Sequence, residues 1–138
     1  MKKMSELRMD YDGISFDAVK QIYQHRGWII RFFKLIYVDV STTRKGYHVR
    51  IKIEKKLDDR DILLLQILLG SDINREIYNF VRQQNGELLK NWNRMYTKKW
   101  IVLGTKIVED IGEEKYSESM SKEVEDEIIN CVDIEGHL

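Results

Sequence analysis

Two aspartates and one histidine are the residues of this chain whose types and spacing best fit a chemical role. Asp10 and Asp12 are spaced i, i+2 in a segment whose alternate positions are apolar, so one face of a strand would carry both carboxylates. Such a pair can hold Mg²⁺ or Mn²⁺, because these ions accept oxygen ligands. His48 follows a basic loop and lies on the polar face of another predicted strand, where it could hold phosphate oxygens. We therefore expect Asp10 and Asp12 as metal ligands, and both with His48 as catalytic residues.

The segment that presents His48 also predicts a basic surface. A turn-forming stretch from Ser41 to Gly46 runs into a strand that alternates apolar and polar residues up to Ile53, and it predicts a hairpin with the strand before it. Basic side chains on such a surface can neutralise phosphates. The residues of this hairpin that we expect to bind nucleic acid are Arg44, Lys45, Arg50 and Lys52.

Another charged cluster stands at the start of a predicted helix in the middle of the chain. Asp72, Arg75 and Glu76 lie in its first turn, where free backbone amides favour an anion. On this hypothesis Asp72 and Glu76 join the catalytic acids and Arg75 binds nucleic acid.

Each of these residues also has an ordinary structural explanation, which the sequence leaves open. The two aspartates fit exposed acids at a strand end next to Gly13, and His48 fits an exposed strand histidine paired with an acid. Asp72 fits a helix N-cap, with Arg75 and Glu76 as first-turn charges.

A further basic region combines positive charge with aromatic rings. Lys98 and Lys99 lie among Trp92, Tyr96 and Trp100, and these rings could stack on bases or form the core and edge of a strand. We expect Lys98 and Lys99 to contribute to nucleic-acid binding.

Composition indicates one globular domain that works inside a cell. The 138 residues are 43% hydrophobic and 33% charged, and no apolar run is long enough to cross a bilayer. The single cysteine excludes an internal disulfide and a multi-cysteine zinc site. We expect a cytoplasmic protein without membrane contact, and heavy use of Lys, Glu and Ile fits a hyperthermophile.

The net charge of zero conceals a division of the chain into a basic and an acidic part. Residues 1–108 carry 21 Lys and Arg against 12 Asp and Glu, which gives +9, whereas residues 109–138 carry 2 against 11, which gives −9. The basic part predicts a polyanionic partner. The acidic part is either a solvated tail, a packed terminal helix, a screen for the basic face or a mimic of a polyanion.

Hydrophobic periodicity predicts the elements that would position these residues. Strands are expected at 7–12, 32–40, 47–53 and 95–103, and helices follow Ser15, Asp58 or Asp59, Asp72 and Ser121 as N-caps. Gly27, Gly70 and Gly86 would end the first three helices. The order β-α-β-β-α-α-β-α predicts an α+β fold in which a mixed or antiparallel four-stranded sheet carries its helices on one face, the split β-α-β arrangement.

The two segments with the proposed catalytic residues resemble the first two motifs of archaeo-eukaryotic primase-polymerases. These motifs are a D-h-D strand, matched here by Asp10, Tyr11 and Asp12, and an S-x-G-x-H loop and strand. Residues 41–48 are similar to the second motif but have four residues in place of one between the serine and the glycine. The resemblance implies a nucleotidyltransferase-like or RRM-like core in which Asp10 and Asp12 bind metals and His48 contacts nucleotide phosphates.

Residues 7–100 also resemble small proteins of archaeal viruses and related elements. That group shares S-x-x-R-x-G-Y-H-V, which residues 41–49 match, and L-G-D-D-x-x-R, which reads L-G-S-D-I-N-R at residues 69–75. A nuclease of an Acidianus filamentous virus belongs to this neighbourhood.

Together these features predict a metal-dependent DNA nuclease of an archaeal virus or mobile element, in preference to a nucleotidyltransferase. The alternative is a non-catalytic protein that binds nucleic acid or inhibits host defence in the manner of an anti-CRISPR. The expected cofactor is Mg²⁺ or Mn²⁺, and DNA is the expected partner. A host protein and a second copy of the chain are further candidates, and the compartment would be the host cytoplasm.

Overall fold

A computed structural model of the chain describes residues 3–85, 92–93, 100–103, 106–109, 118–119 and 122–132. Within these residues the protein is α+β, with four α-helices and a main antiparallel sheet of three long strands that a two-residue strand extends at one edge. The elements in chain order are β1 (Ser5–Asp12), α1 (Phe16–Arg26), a 3₁₀ helix (Gly27–Phe32), β2 (Leu35–Thr42), β3 (Gly46–Ile53), α2 (Asp59–Leu68), α3 (Ile73–Gln84), β4 (Trp100–Leu103), β5 (Lys106–Glu109), β6 (Glu118–Ser119) and α4 (Lys122–Val132).

The main sheet has the strand order β1-β3-β2, and every pairing in it is antiparallel. Its apolar face follows the predicted alternation, so Leu7, Met9, Val49 and Ile51 are buried beneath the helices. The opposite phase carries the polar residues that the sequence singled out, including His48. The predicted division of β1 and β3 into an apolar and a polar face is therefore confirmed.

The strand expected from residues 95–103 does not extend this sheet. Trp100–Leu103 pairs with Lys106–Glu109 in a separate two-stranded sheet, and residues 95–99 lie outside the described residues. The place beside β2 is taken by the two-residue strand β6, which pairs with Ser41 and Thr42. A four-stranded sheet built with residues 95–103 is thus not what the structure shows.

Helix starts were easier to predict than helix ends. Ser15, Asp58 and Asp72 each cap a helix, because their side chains accept a hydrogen bond from the backbone N–H three residues later. Gly27 does not end the first helix in the left-handed region, since its φ is −65° and the chain continues as a 3₁₀ helix. The second strand therefore begins at Leu35, and its expected start near Phe32 is wrong.

The acidic C-terminal part contains a helix that belongs to the core. Ile128, Cys131 and Val132 of α4 are buried, and α4 packs against α1, the 3₁₀ helix and β2. The amphipathic helix expected after Ser121 is thus confirmed over Lys122–Val132. None of the helices in the described residues is long and apolar enough to cross a membrane.

Candidate metal centre

The pairing of β1 with β3 brings the first two candidate residues together. Asp10 and His48 are direct partners in the register, and the Nε2 atom of His48 lies 3.3 Å from Oδ1 of Asp10. Both side chains are buried, Asp10 at 3% and His48 at 2% exposure. The prediction that Asp10, Asp12 and His48 share one face of neighbouring strands is confirmed, although His48 is not the exposed residue that the ordinary explanation supposed.

Gly46 allows this close pairing at the end of the ladder. A Cβ atom at position 46 would lie 1.8 Å from the backbone oxygen of Tyr11, which is far inside van der Waals contact. Only glycine therefore fits opposite Asp12, its partner in the register. The glycine of the G-Y-H-V segment thus fixes the position of His48 two residues later.

Asp72 adds a third carboxylate from the connection between α2 and α3. Its backbone N–H donates to the carbonyl oxygen of Asp10 at 2.6 Å, which ties the start of α3 to the free edge of β1. Side-chain oxygens of Asp10, Asp12 and Asp72 all lie within 4.8 Å of one another. The three carboxylates can therefore reach one small cation.

One oxygen of this cluster is buried without a hydrogen bond. Oδ1 of Asp10 accepts none from any described residue, since the approach of His48 does not have hydrogen-bond geometry. Burying a carboxylate oxygen without a donor is costly unless a cation or a proton compensates. Three aspartate carboxylates form an oxygen donor set that suits Mg²⁺ or Mn²⁺, so the residues present fit such an ion.

At the edge of β1 beside the cluster, backbone N–H and C=O groups form hydrogen bonds with side chains, because no other strand of the described residues pairs with this edge. Gln66 Oε1 accepts from the N–H of Arg8 at 2.9 Å, and Ser71 Oγ accepts from the N–H of Asp10 at 2.9 Å. Arg75 donates through an Nη atom to the carbonyl oxygen of Arg8 at 2.7 Å. These bonds hold α2 and α3 against the strand that carries the carboxylates.

Glu76 lies at the centre of this buried polar network. Its two carboxylate oxygens accept hydrogen bonds from Ser71 Oγ and Gln66 Nε2, both at 2.9 Å, and it forms an ion pair with Arg75. Burial lowers the pKa of the Arg75 guanidinium, and the charge of Glu76 acts in the opposite direction. Glu76 and Arg75 therefore hold the fold together at this point, and the structure does not bring them into the carboxylate cluster or onto the surface.

The residues expected to bind nucleic acid occupy different surroundings. Arg44 and Lys45 are exposed in the turn between β2 and β3, as the sequence predicts. Arg50 donates to Asp39 Oδ2 at 3.1 Å, and the Nζ atom of Lys52 lies 5.4 Å from the ring centre of Tyr37. Lys98 and Lys99 lie outside the described residues. Trp92 is buried in the core, so base stacking by this ring does not occur in this structure.

Sequence reasoning missed Gln66 and Ser71, which support the cluster without belonging to it. The available signal was a glutamine between Leu65 and Ile67 in an otherwise apolar helix, a position where burial requires hydrogen-bond partners. Ser71 gave no comparable signal, because a serine between a helix-ending glycine and an N-cap is ordinary turn composition.

Comparison with known proteins identifies no relative of this chain. The chain matches no protein-family model, and searches of curated proteins and of solved structures give no match.

Proposed function

We propose that this protein is a metal-dependent phosphodiester-cleaving enzyme, a DNA nuclease of an archaeal virus or mobile element. The observation that carries the proposal is the cluster of Asp10, Asp12 and Asp72, in which one buried oxygen of Asp10 has no hydrogen-bond donor among the described residues. A cation bound among three carboxylates this close together would relieve their mutual repulsion.

Each group of residues would have a separate role in this activity. Asp10, Asp12 and Asp72 hold Mg²⁺ or Mn²⁺, which supplies Lewis-acid polarisation of the phosphoryl group and a water of lowered pKa. His48 lies against the Asp10 carboxylate, with its Nε2 atom 3.3 Å from Oδ1, and limits the space into which that carboxylate can turn. Arg44 and Lys45 extend from the neighbouring turn and attract the phosphodiester backbone.

The strand order supports a nucleotidyltransferase-like or RRM-like core as part of this proposal. In the split β-α-β arrangement the first strand lies beside the third and the third beside the second, which is the order β1-β3-β2 observed here. Gln66, Ser71 and Arg75 occupy the free edge of β1, where a fourth strand would otherwise lie.

Cleavage assays on linear and single-stranded DNA and on RNA, with Mg²⁺, Mn²⁺ or EDTA, test the proposal. We expect the wild-type protein to cleave DNA with a divalent cation and to be inactive in EDTA. Asp12→Asn should lose cleavage, whereas Asp17→Asn, which removes an exposed charge on α1, should cleave like the wild type. Cleavage that persists in EDTA, or in Asp12→Asn, would contradict the metal mechanism.

A nucleic-acid-binding protein without catalysis is the second candidate, and the burial of His48 favours it. A histidine that is 2% exposed cannot contact a phosphate unless the surface above it opens. On this alternative the protein binds DNA through the exposed turn, and the aspartates have no part in the interaction. DNA binding that is unchanged by EDTA and by Asp12→Asn, with no cleavage under any condition, would favour the binder.

A further inference from the structure

The outward side of α3 is apolar, which is the reverse of an ordinary surface helix. The residues that α3 buries are polar, namely Arg75, Glu76 and Asn79. Its exposed residues include four large aliphatic or aromatic ones at 46 to 55% of their surface, Ile73, Ile77, Phe80 and Val81. Asn74, Tyr78 and Gln84 are exposed as well. The polar network at the edge of β1 explains the burial, but nothing in the described part of the chain covers the four apolar side chains.

The neighbouring helix, α2, also exposes apolar residues. Gln83 Nε2 of α3 donates to the carbonyl oxygen of Asp59 at 2.8 Å, so the two helices pack against each other near the start of α2. The outward residues of α2 are again apolar and exposed, namely Leu64, Ile67 and Leu68. We call these three residues and the four of α3 the apolar face.

The size of the apolar face is that of an interface. Seven large side chains at 38 to 55% exposure present on the order of 600–700 Å² together, whereas the largest apolar patch of a typical monomer is about 300–600 Å². Each partner of a standard protein–protein interface contributes about 800 Å². The apolar face therefore needs only a small additional area of surrounding residues to reach the size of a stable interface.

We propose that a second copy of this chain covers the apolar face, with α3 packed antiparallel against α3 of the partner. The apolar stripe of α3 runs from Ile73 to Val81, so its centre is Ile77. A two-fold axis at that centre would place Ile77 against its own counterpart and Ile73 against Val81 of the other copy, which makes the stripe self-complementary. Antiparallel packing also sets the two helix dipoles in opposition, which favours this orientation.

A membrane surface is a poorer occupant of the same face. Residues 58–61 at the start of α2, next to the end of α3, are all exposed, and their three aspartates outnumber Arg60, which leaves a net charge of −2. Helices that bind anionic bilayers instead carry Lys and Arg beside the apolar side. The acidic border of the apolar face therefore favours a protein partner over a lipid headgroup layer.

Analytical ultracentrifugation of the full chain from about 1 to 200 μM tests the proposal. We expect a reversible dimer for the wild type, and at least a 100-fold weaker dimer for Ile77→Glu, which places two carboxylates at the axis. Phe32→Glu is the matched control, because Phe32 is 67% exposed and lies outside the apolar face. A monomeric wild type, or a dimer that Ile77→Glu leaves intact, would overturn the proposal.

A cross-link at the axis makes the test independent of any folding defect in the charged variant. Ile77→Cys should form a disulfide-linked dimer on mild oxidation, since the two Cβ atoms would meet at about 4 Å. Phe32→Cys and the wild type, whose Cys131 is buried, should stay monomeric on a non-reducing gel. Equal cross-linking of Ile77→Cys and Phe32→Cys would contradict the axis. Co-flotation of the wild type with phosphatidylserine vesicles that is lost in Ile77→Glu but kept in Phe32→Glu would assign the face to lipid and overturn the dimer.

Discussion

Asp10 and His48 face each other across the β1–β3 ladder, with 3.3 Å between Oδ1 of the aspartate and Nε2 of the histidine. The contact joins two residues that are 38 positions apart in the chain. Oδ1 remains without a hydrogen bond from the described residues, and the carboxylates of Asp12 and Asp72 lie beside it. A cation at this point would offset both the buried charge and the repulsion among the three acids.

Asp10→Asn should abolish the rise in Tm that MnCl₂ gives the wild-type protein. A ligand that binds only the folded state at about 100 times its Kd stabilises it by about 2.7 kcal/mol, and the substitution removes one of three charges that attract the ion. Differential scanning fluorimetry with MnCl₂ and with EDTA measures the effect. Asp17→Asn is the control and should keep the full rise. A rise that persists in Asp10→Asn would place the ion elsewhere.

Gly46→Ala should destabilise the protein far more than Gly13→Ala. A methyl group at position 46 would meet the backbone oxygen of Tyr11, and the ladder could accept it only by separating β1 from β3. At Gly13, whose φ is +72°, no atom lies within 4 Å of the new Cβ, so only the left-handed backbone conformation costs about 1–2 kcal/mol. Urea unfolding of both variants measures the difference, and equal losses would contradict the steric explanation.

Glu76→Ala should cost about 3–5 kcal/mol, because it leaves the buried Arg75 guanidinium without its partner. The same change removes the acceptor for Ser71 Oγ and Gln66 Nε2, which support the edge of β1. Chemical denaturation gives the free energy of unfolding. Asp17→Ala, at an exposed site on the first helix, should change it by less than about 0.5 kcal/mol. A loss for Glu76→Ala no larger than that of the control would show that the network is not structural.

The part of the site that lies on strands was predictable from the sequence. A period of two assigns Asp10, Asp12 and His48 to polar phases, and antiparallel pairing of the strands then brings them to one face. Asp72 was predictable as a helix N-cap but its proximity to Asp10 was not, because the contact depends on how α2 and α3 meet the edge of β1.

The orientation of α3 could not be read from its pattern. Hydrophobic periodicity identifies the helix and its apolar stripe, but it does not say which side faces the sheet. Here the polar side is buried, because Arg75 donates a hydrogen bond to the edge of β1. Glu76 holds Gln66 and Ser71, whose side chains accept hydrogen bonds from the same edge. The prediction that Gly27 ends the first helix in a left-handed conformation was wrong for a similar reason. The chain continues into a 3₁₀ helix after α1, so no left-handed residue is needed there.

Glu125→Gln should raise Tm at pH 7 and have little effect near pH 3.5. Burial, the charge of Asp39 and a hydrogen bond to Asp39 raise the pKa of Glu125, so the folded state favours the protonated form. The stabilisation from that proton is complete below the unfolded pKa of about 4.3 and is lost as pH rises through the higher folded pKa. Glutamine copies the protonated form at every pH. Tm across this range measures the effect, and Glu123→Gln, which removes a carboxylate from an exposed site on the same helix, is the matched control. An equal gain in Tm for the two variants would show that the charge of the helix, and not the surroundings of Glu125, is responsible.

Arg44→Ala combined with Lys45→Ala should weaken DNA binding and flatten its dependence on salt. Both residues are exposed in the β2–β3 turn, and each phosphate that a cation neutralises releases counterions from the DNA. Loss of two such contacts should lower the slope of log K against log salt by about 1.8 for duplex DNA. Fluorescence anisotropy at several salt concentrations gives the slope for the double variant. Lys56→Ala combined with Arg60→Ala is the matched control, because it removes the same charge from an exposed segment near the other end of β3. Equal slopes for the two double variants would show that net charge, and not the turn, governs binding.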